Sequence, residues 1–530
     1  MSRTLDVTSF RPDTRLAAAG AGLLAAGVGV AAAAFTASLL TGVPSPILSV
    51  GNATITLAPS WLKDFAVEQF GTADKPVLLA GIYTVIAAVA ALAGLLGLRR
   101  PWLAQAITAI LGLLALIAAA TDRTSLSSPP VTVLPALVAL VVSLVAISWL
   151  LSALGRRQQA QAGSWSEPHP GDDVGADFDR RKFVEAVAVT GAVLIAGGVG
   201  SRLLGPAQAL ASRRGITIPA AADAAGAVPA GASLDVRGLT PYLTSNADFY
   251  RIDTALTPPD VPAATWSLRI HGAVKNELEL DFFGLLDRRL VERRVTLACV
   301  SNEIGGELIG NATWTGVLLA DLLAEAGVQP GADAVLSTSA DGFTAGTPIE
   351  ALTDGRDAMI AVAMNGEPLP IEHGFPARMV VPGLYGYVSA TKWLTDLEVT
   401  NFSKFSAYWT ERGWSEQAPI KTASRIDVPA SSATVGAGTV AVAGVAWAQH
   451  RGIKAVEVRV DGGEWQQTRL AAADGVDTWR QWVWEWSARP GDHVLEVRAT
   501  DSAGEPQVVE QAPPRPDGAT GLHRVGVTVT

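Results

Sequence analysis

The sequence predicts a multi-domain chain: an N-terminal α-helical transmembrane bundle, an α+β domain and a C-terminal immunoglobulin-like β-sandwich. Three observations predict it. The 530 residues are 49% hydrophobic and 17% charged, with a mean hydropathy of +0.29, which is too apolar for one soluble globule. The apolar residues gather in long uncharged runs within the first two hundred positions. Beyond about residue 425 helical periodicity gives way to alternating strands and turns.

Residues 16–40 carry no charge, and a run of that length crosses a hydrocarbon core of about 30 Å at about 1.5 Å per residue. Similar runs at 76–98, 102–120 and 131–154 are separated by short loops holding Arg99, Arg100, Asp122, Arg123 and the pair Pro129 and Pro130. Residues 1–155 therefore read as a four-helix transmembrane domain. Residues 156–210 read as a cytoplasmic linker, a twin-arginine-like motif at Phe178-Asp-Arg-Arg-Lys-Phe-Val184, and a fifth transmembrane helix over Ala186–Leu204. Basic residues in short loops stay on the cytoplasmic side. With the N-terminus inside, that side holds Arg3, Arg11, Arg15, Arg99, Arg100, Arg156, Arg157, Arg180, Arg181 and Lys182, against Lys63, Lys75 and Arg123 opposite. Five crossings then put everything after about residue 205 outside the cytoplasm. All six histidines lie outside the first four spans, so these spans cannot hold a bis-histidine haem, and they read as an anchor or partner-docking module.

Residues 211–232 are rich in Ala, Gly and Pro and read as a linker. From 233 to 424, strand-like segments such as Trp266-Ser-Leu-Arg-Ile270 mix with helical ones such as Gly316–Glu325. From 425 to 530 strands alternate with turns, and Trp482, Trp484 and Trp486 repeat at a period of two. That period places them in a sandwich core rather than in a ligand stripe, and the sandwich offers a surface for a homodimer.

The balance of 40 basic against 50 acidic residues gives −10 and argues against a nucleic-acid partner. Cys299 is the one cysteine. It excludes an intramolecular disulfide and an iron–sulfur site held by several cysteines. It closes a predicted strand and opens the polar turn Cys299-Val-Ser-Asn302-Glu-Ile-Gly305-Gly306, the kind of place where chains present reactive groups.

Here the sequence resembles the molybdopterin-binding oxidoreductases of the sulfite oxidase type. Thr296-Leu-Ala-Cys299-Val-Ser-Asn302 matches the motif whose cysteine binds molybdenum. His373-Gly-Phe-Pro-Ala-Arg378-Met-Val-Val-Pro382-Gly-Leu-Tyr385-Gly386, then Ser389 and Lys392-Trp393-Leu394, match two further signatures. Phe249-Tyr-Arg251-Ile-Asp253 is similar to the segment that carries a substrate-side arginine, and the tail after 425 is similar to the family's dimerisation sandwich. The resemblance covers about 300 residues and leaves the membrane part unexplained.

What the resemblance implies is a membrane-anchored bacterial molybdoenzyme with residues 233–424 as the molybdopterin-binding domain. It implies a molybdenum cofactor with one pterin, and no haem or iron–sulfur centre is expected. Cys299 is implied as the metal ligand and as catalytic together with Tyr250 and Arg251. Asn302, Asp341, His373, Arg378, Ser389 and Lys392 are implied to bind the cofactor. The reaction implied is two-electron oxygen-atom transfer on a small substrate, with a separate quinone or protein as redox partner. Glu303 and Ile304 stand where sulfite oxidases carry a pair of arginines, which weighs against sulfite and leaves S- or N-oxide reduction as a rival. A non-catalytic surface protein on the same fold is the alternative from another class.

Overall fold

The computed structural model describes residues 12–40, 42–59, 62, 65, 69–70, 73–122, 124, 128–162, 190–192 and 207–530. These divide into two compact units, one of residues 1–208 with 255–260, the other of 209–254 with 261–530. The twin-arginine-like motif lies outside the described residues, as does all of the expected fifth helix except 190–192.

In the first unit four helices are long and apolar enough to cross a membrane: Thr14–Ser38, Asp74–Gly97, Pro101–Ala120 and Pro129–Leu154. They fall within a few residues of the four runs in the sequence. A shorter helix, α2 (Pro46–Leu57), follows α1 (Pro12–Ser38); its 12 residues are too few to stand out by hydropathy alone. The helices α1 and α3 (Asp74–Gly97) meet through small residues. A Cβ on Gly22 would strike the Ala90 carbonyl oxygen, and one on Gly94 would strike that of Ala18. Small residues let the two helix backbones come this close, as in the small-residue contacts of apolar helices.

The second unit carries ten strands before residue 401: β1 (Ser267–Gly272), β2 (Leu278–Asp281), β3 (Val291–Ala298), β4 (Ile309–Leu318), β5 (Ala334–Ser339), β6 (Thr344–Pro348), β7 (Met359–Met364), β8 (Glu367–Pro368), β9 (Arg378–Val380) and β10 (Leu394–Thr400). One sheet runs β2-β1-β10-β5-β6, and the other runs β3-β4-β7-β8 with β9 also on β7. All six residues of β7 are buried, as expected of a central strand covered on both faces. The Ala/Pro/Gly segment 211–232, expected as a linker, is laid along β3: Asp223 bridges to Val291, its carboxylate takes the Arg293 guanidinium at 2.8 Å, and Ala232 is buried.

From residue 423 nine strands form two sheets. The first has four: β11 (Ala423–Val428), β13 (Gly438–Trp447), β17 (Arg480–Ala488) and β16 (Arg469–Leu470). The other has five: β12 (Ala433–Val435), β19 (His523–Val529), β18 (Gly491–Asp501), β14 (Ile453–Val460) and β15 (Gln466–Gln467). Val442 and Trp482 of the first share an apolar core with Val456, Leu495 and Val525 of the second. Trp482 and Trp486 are buried there and Trp484 packs against the same cluster, so the tryptophan alternation is core packing.

Candidate active site

Strand β3 ends in a buried run, Val295 to Ala298, and delivers Cys299 into a cavity. The turn beyond it is closed by Asn302, whose Oδ1 accepts from the Leu308 N–H at 2.8 Å while its own N–H donates to the Cys299 carbonyl at 3.1 Å. A Cβ on Gly306 would crowd that same Oδ1, which is why a glycine follows. Burial pushes the Cys299 thiol up, against hydrogen bonding from Ser301, so the free side chain stays protonated.

Six of the residues singled out in the sequence line this cavity together: Tyr250, Cys299, Asp341, His373, Arg378 and Lys392. They arrive from separate elements. Arg378 opens β9, packs over the Trp314 ring at 5.0 Å and donates to the carbonyls of His373, Met379 and Ala390. Among the described residues no carboxylate pairs with it. Burial lowers it to about 10. His373 is brought down to about 4, first by burial and then by Arg378, and its Nε2 lies 2.9 Å from the Asn246 carbonyl. A carbonyl only accepts, so the neutral ring carries its proton on Nε2. Lys392 is lowered to about 8 by burial, against the pull of Asp253.

Asp341 accepts from the Phe343 N–H at 3.1 Å and from the Thr254 hydroxyl at 3.3 Å, and burial raises its carboxyl. The Tyr250 phenol is raised by burial first and by the neighbouring Cys299 next, so it holds its proton across the working pH range.

Three expected contributors stand apart from the cavity lining. Asn302 clamps the turn. Ser389 is fully buried and gives its hydroxyl to the Leu384 and Tyr385 carbonyls, both at 3.0 Å. Arg251 is tied to Asp253, two positions along the chain, at 2.8 Å. Sequence reading placed no weight on Tyr387, Trp409 or Trp414, all of which line the cavity, and Asp253, which lines it too, stood in the sequence only as the end of the arginine-bearing segment, where it bears on proton delivery or substrate shape. Only the aromatic density of Tyr408–Trp414 hinted at the two tryptophans.

The arrangement is a buried cluster of cations whose basicity burial and mutual repulsion depress, beside one uncharged thiol and the carboxyl groups of Asp253 and Asp341. It fits a ligand that brings an anion and a thiophilic metal. Arg378 in particular is a buried fork of donors with only carbonyls to meet it, as a phosphate site requires.

Residues 255–409 match the family described as the oxidoreductase molybdopterin binding domain. The chain is 30% identical over 312 residues to the mitochondrial sulfite oxidase of Homo sapiens, covering 50% of this chain and 55% of that protein. It is 32% identical over 149 residues to the uncharacterized oxidoreductase YuiH of Bacillus subtilis (strain 168), covering 28% of this chain and 72% of that one. The chain thus spans about half the length of the curated sulfite oxidase it matches. Among solved structures, the sulfane dehydrogenase SoxCD from Paracoccus pantotrophus aligns at 24% identity and a TM-score of 0.49, over 55% of this chain and 82% of its own.

Proposed function

The chain belongs to the oxidoreductases with a molybdopterin-binding domain, and from that premise we propose that it is a membrane-anchored enzyme performing two-electron oxygen-atom transfer outside the cytoplasm. It is a molybdopterin-dependent oxidoreductase, which sets aside the non-catalytic reading. The observation that carries the proposal is the shared cavity: Cys299 and the carboxylate-free Arg378 open on the same space.

Cys299 would hold the metal as a thiolate, the one thiol in the chain. Arg378 and His373 would hold the cofactor phosphate, with Lys392, paired to Asp253, beside them, and Asp341 would accept from the pterin ring. When bound, the cofactor supplies a metal centre that changes oxidation state by two and gives or takes one oxygen atom. Tyr250 keeps its proton and offers it at the phenol oxygen to the oxygen of a bound substrate. The aromatic and aliphatic walls keep bulk water from the reacting atoms, which strengthens every polar contact within.

Anchoring rests on the four long apolar helices, and the extracytoplasmic side rests on the basic residues of the loops. Electrons pass to or from a separate partner, a quinone or a protein. The C-terminal sandwich, immunoglobulin-like in its two-sheet design, serves as a dimer surface. Reduction of an S- or N-oxide and oxidation of a sulfite-type substrate are the two directions the class allows.

The test is metal analysis of the full chain made in a cofactor-competent host, with electron paramagnetic resonance of Cys299→Ser. We expect about one molybdenum per chain in the wild type and loss of its Mo(V) spectrum in the variant, since a hydroxyl replaces the soft ligand. A variant spectrum identical to the wild type would overturn the assignment of Cys299.

A further inference from the structure

The cavity holds a second message, about the charge and shape of what enters it. Two fixed cations line it, Arg378 and Lys392. If Arg378 serves the cofactor phosphate, as proposed above, Lys392 is the cation left for a substrate. It is already taken. Its Nζ lies 2.8 Å from Asp253 Oδ2, and the same oxygen takes the Arg251 Nε at 2.8 Å. The Asp253 side chain is 2% exposed, whereas that of Arg251 is 39% exposed. One sunken carboxylate thus neutralises the lysine and turns the arginine away from the lining. The loop leaving Cys299 adds Val300 and Ser301 to the wall, neither of them charged. An inorganic oxyanion entering here would shed its hydration shell with no uncommitted cation to replace it.

Part of the lining is aromatic. Phe343, Tyr387, Trp409 and Trp414 line the cavity and belong to one chain of ring contacts. Phe343 meets Tyr408 at 5.8 Å, Tyr408 meets Trp409 at 5.1 Å, Trp409 meets Trp414 at 6.2 Å, and Trp414 meets Tyr387 at 5.9 Å. The Tyr387 hydroxyl donates to the Ser415 carbonyl at 2.6 Å, and the Ser415 N–H donates to the Pro516 carbonyl at 3.1 Å, so this wall is pinned from both ends. Fixed, half-buried rings bind apolar and aromatic groups at low entropic cost.

We propose that the site takes an uncharged sulfoxide–thioether couple carrying an aromatic or bulky alkyl arm, which docks on Trp409 and Trp414, and that Asp253 excludes inorganic oxyanions by occupying Lys392 and Arg251. This rests on the cofactor reading of Cys299 and Arg378. In the reducing direction the S–O bond breaks, two electrons and two protons are consumed, and thioether and water leave; the electrons come from two molecules of a one-electron viologen donor in the assay.

The experiment uses the full chain in detergent with its molybdenum measured. Methyl p-tolyl sulfoxide with reduced benzyl viologen is compared with sulfite and ferricyanide. The sulfoxide is expected to show kcat/KM at least about a hundredfold higher, the scale set by one unpaired buried charge. In Asp253→Asn the KM for sulfite should fall by about tenfold or more as Lys392 and Arg251 are released. In Trp414→Leu the KM for the tolyl sulfoxide should rise by about three- to tenfold, more than that for dimethyl sulfoxide and more than kcat changes. Independently of turnover, methyl p-tolyl sulfide should quench tryptophan fluorescence in the wild type and less in Trp414→Leu, and sulfate should not displace it. A molybdenum-loaded enzyme that uses sulfite as well as the sulfoxide, or shows no such quenching, would overturn this inference and leave the cofactor reading intact. A metal-free protein would instead sink the cofactor reading.

Discussion

Two buried arginines in the same unit are handled in opposite ways. Arg425, on β11, gives its Nε to Asp427 at 2.6 Å and its remaining donors to the Gly306 carbonyl and the Thr240 hydroxyl, at 2.7 and 2.9 Å. Arg378, at the cavity, is as deeply buried, and its donors meet backbone carbonyls alone. A buried charge is costly unless it is paired. Where the partner is internal, as for Arg425, the charge is architecture. Where it is left to carbonyls, as for Arg378, the proposed cofactor site gives it an anion from outside. The difference sets a structural ion pair apart from the arginine proposed to bind the cofactor.

The sharpest way to break this contrast is to remove the internal partner. Asp427→Ala leaves Arg425 buried without its carboxylate, and the expected loss of unfolding free energy is about 3–5 kcal/mol, read by denaturant unfolding. A loss below about 1 kcal/mol would mean that the pair behaves like a surface salt bridge and that burial of the guanidinium is no guide to its role.

The next largest effect reverses the readout. Arg378→Met replaces an isolated buried charge with an apolar side chain of similar length, so unfolding of the metal-free protein should be unchanged or shifted to higher denaturant. Molybdenum content should fall about ten- to a hundredfold, because a hydrogen bond to a charged group contributes about 1.5–3 kcal/mol. Full molybdenum content in this variant would remove Arg378 from the cofactor site.

The sequence made the same division only in part. Hydropathy located the membrane-length helices because twenty uncharged residues leave no other reading. The motif cysteine, His373, Arg378 and Lys392 were legible because each sits in a short pattern, and the fold does bring them to one cavity. Arg251 was not, because its fate depends on a carboxylate two residues on that also pairs with Lys392, 139 residues away. Asn302 and Ser389 stand within matched motifs yet spend their polar atoms on backbone groups of nearby turns. Motif position does not reveal which way a small polar side chain turns. Trp409 and Trp414 flank the short 3-10 turn Thr410–Arg412, without periodicity, and only tertiary packing sets them against the cavity.

The histidines extend the comparison with the smallest effect. His493 lies 2.7 Å from Asp461 and is held above the usual imidazole range by that carboxylate. Its contribution is present below the unfolded value and is lost as pH rises through the folded one. His373 runs the other way. Burial and Arg378 bring it to about 4, so the unfolded chain binds the proton more readily, and stability present above about pH 6.5 is lost as pH falls toward 4. Between about pH 7 and 5.5 the metal-free protein should lose roughly 1 kcal/mol through this group, and His373→Gln should flatten that limb. A bound phosphate would favour the imidazolium and cancel part of the loss. The acid limb of the molybdenum-loaded protein should therefore be shallower than that of the metal-free one; equal slopes would place His373 out of contact with the anion proposed to sit on Arg378.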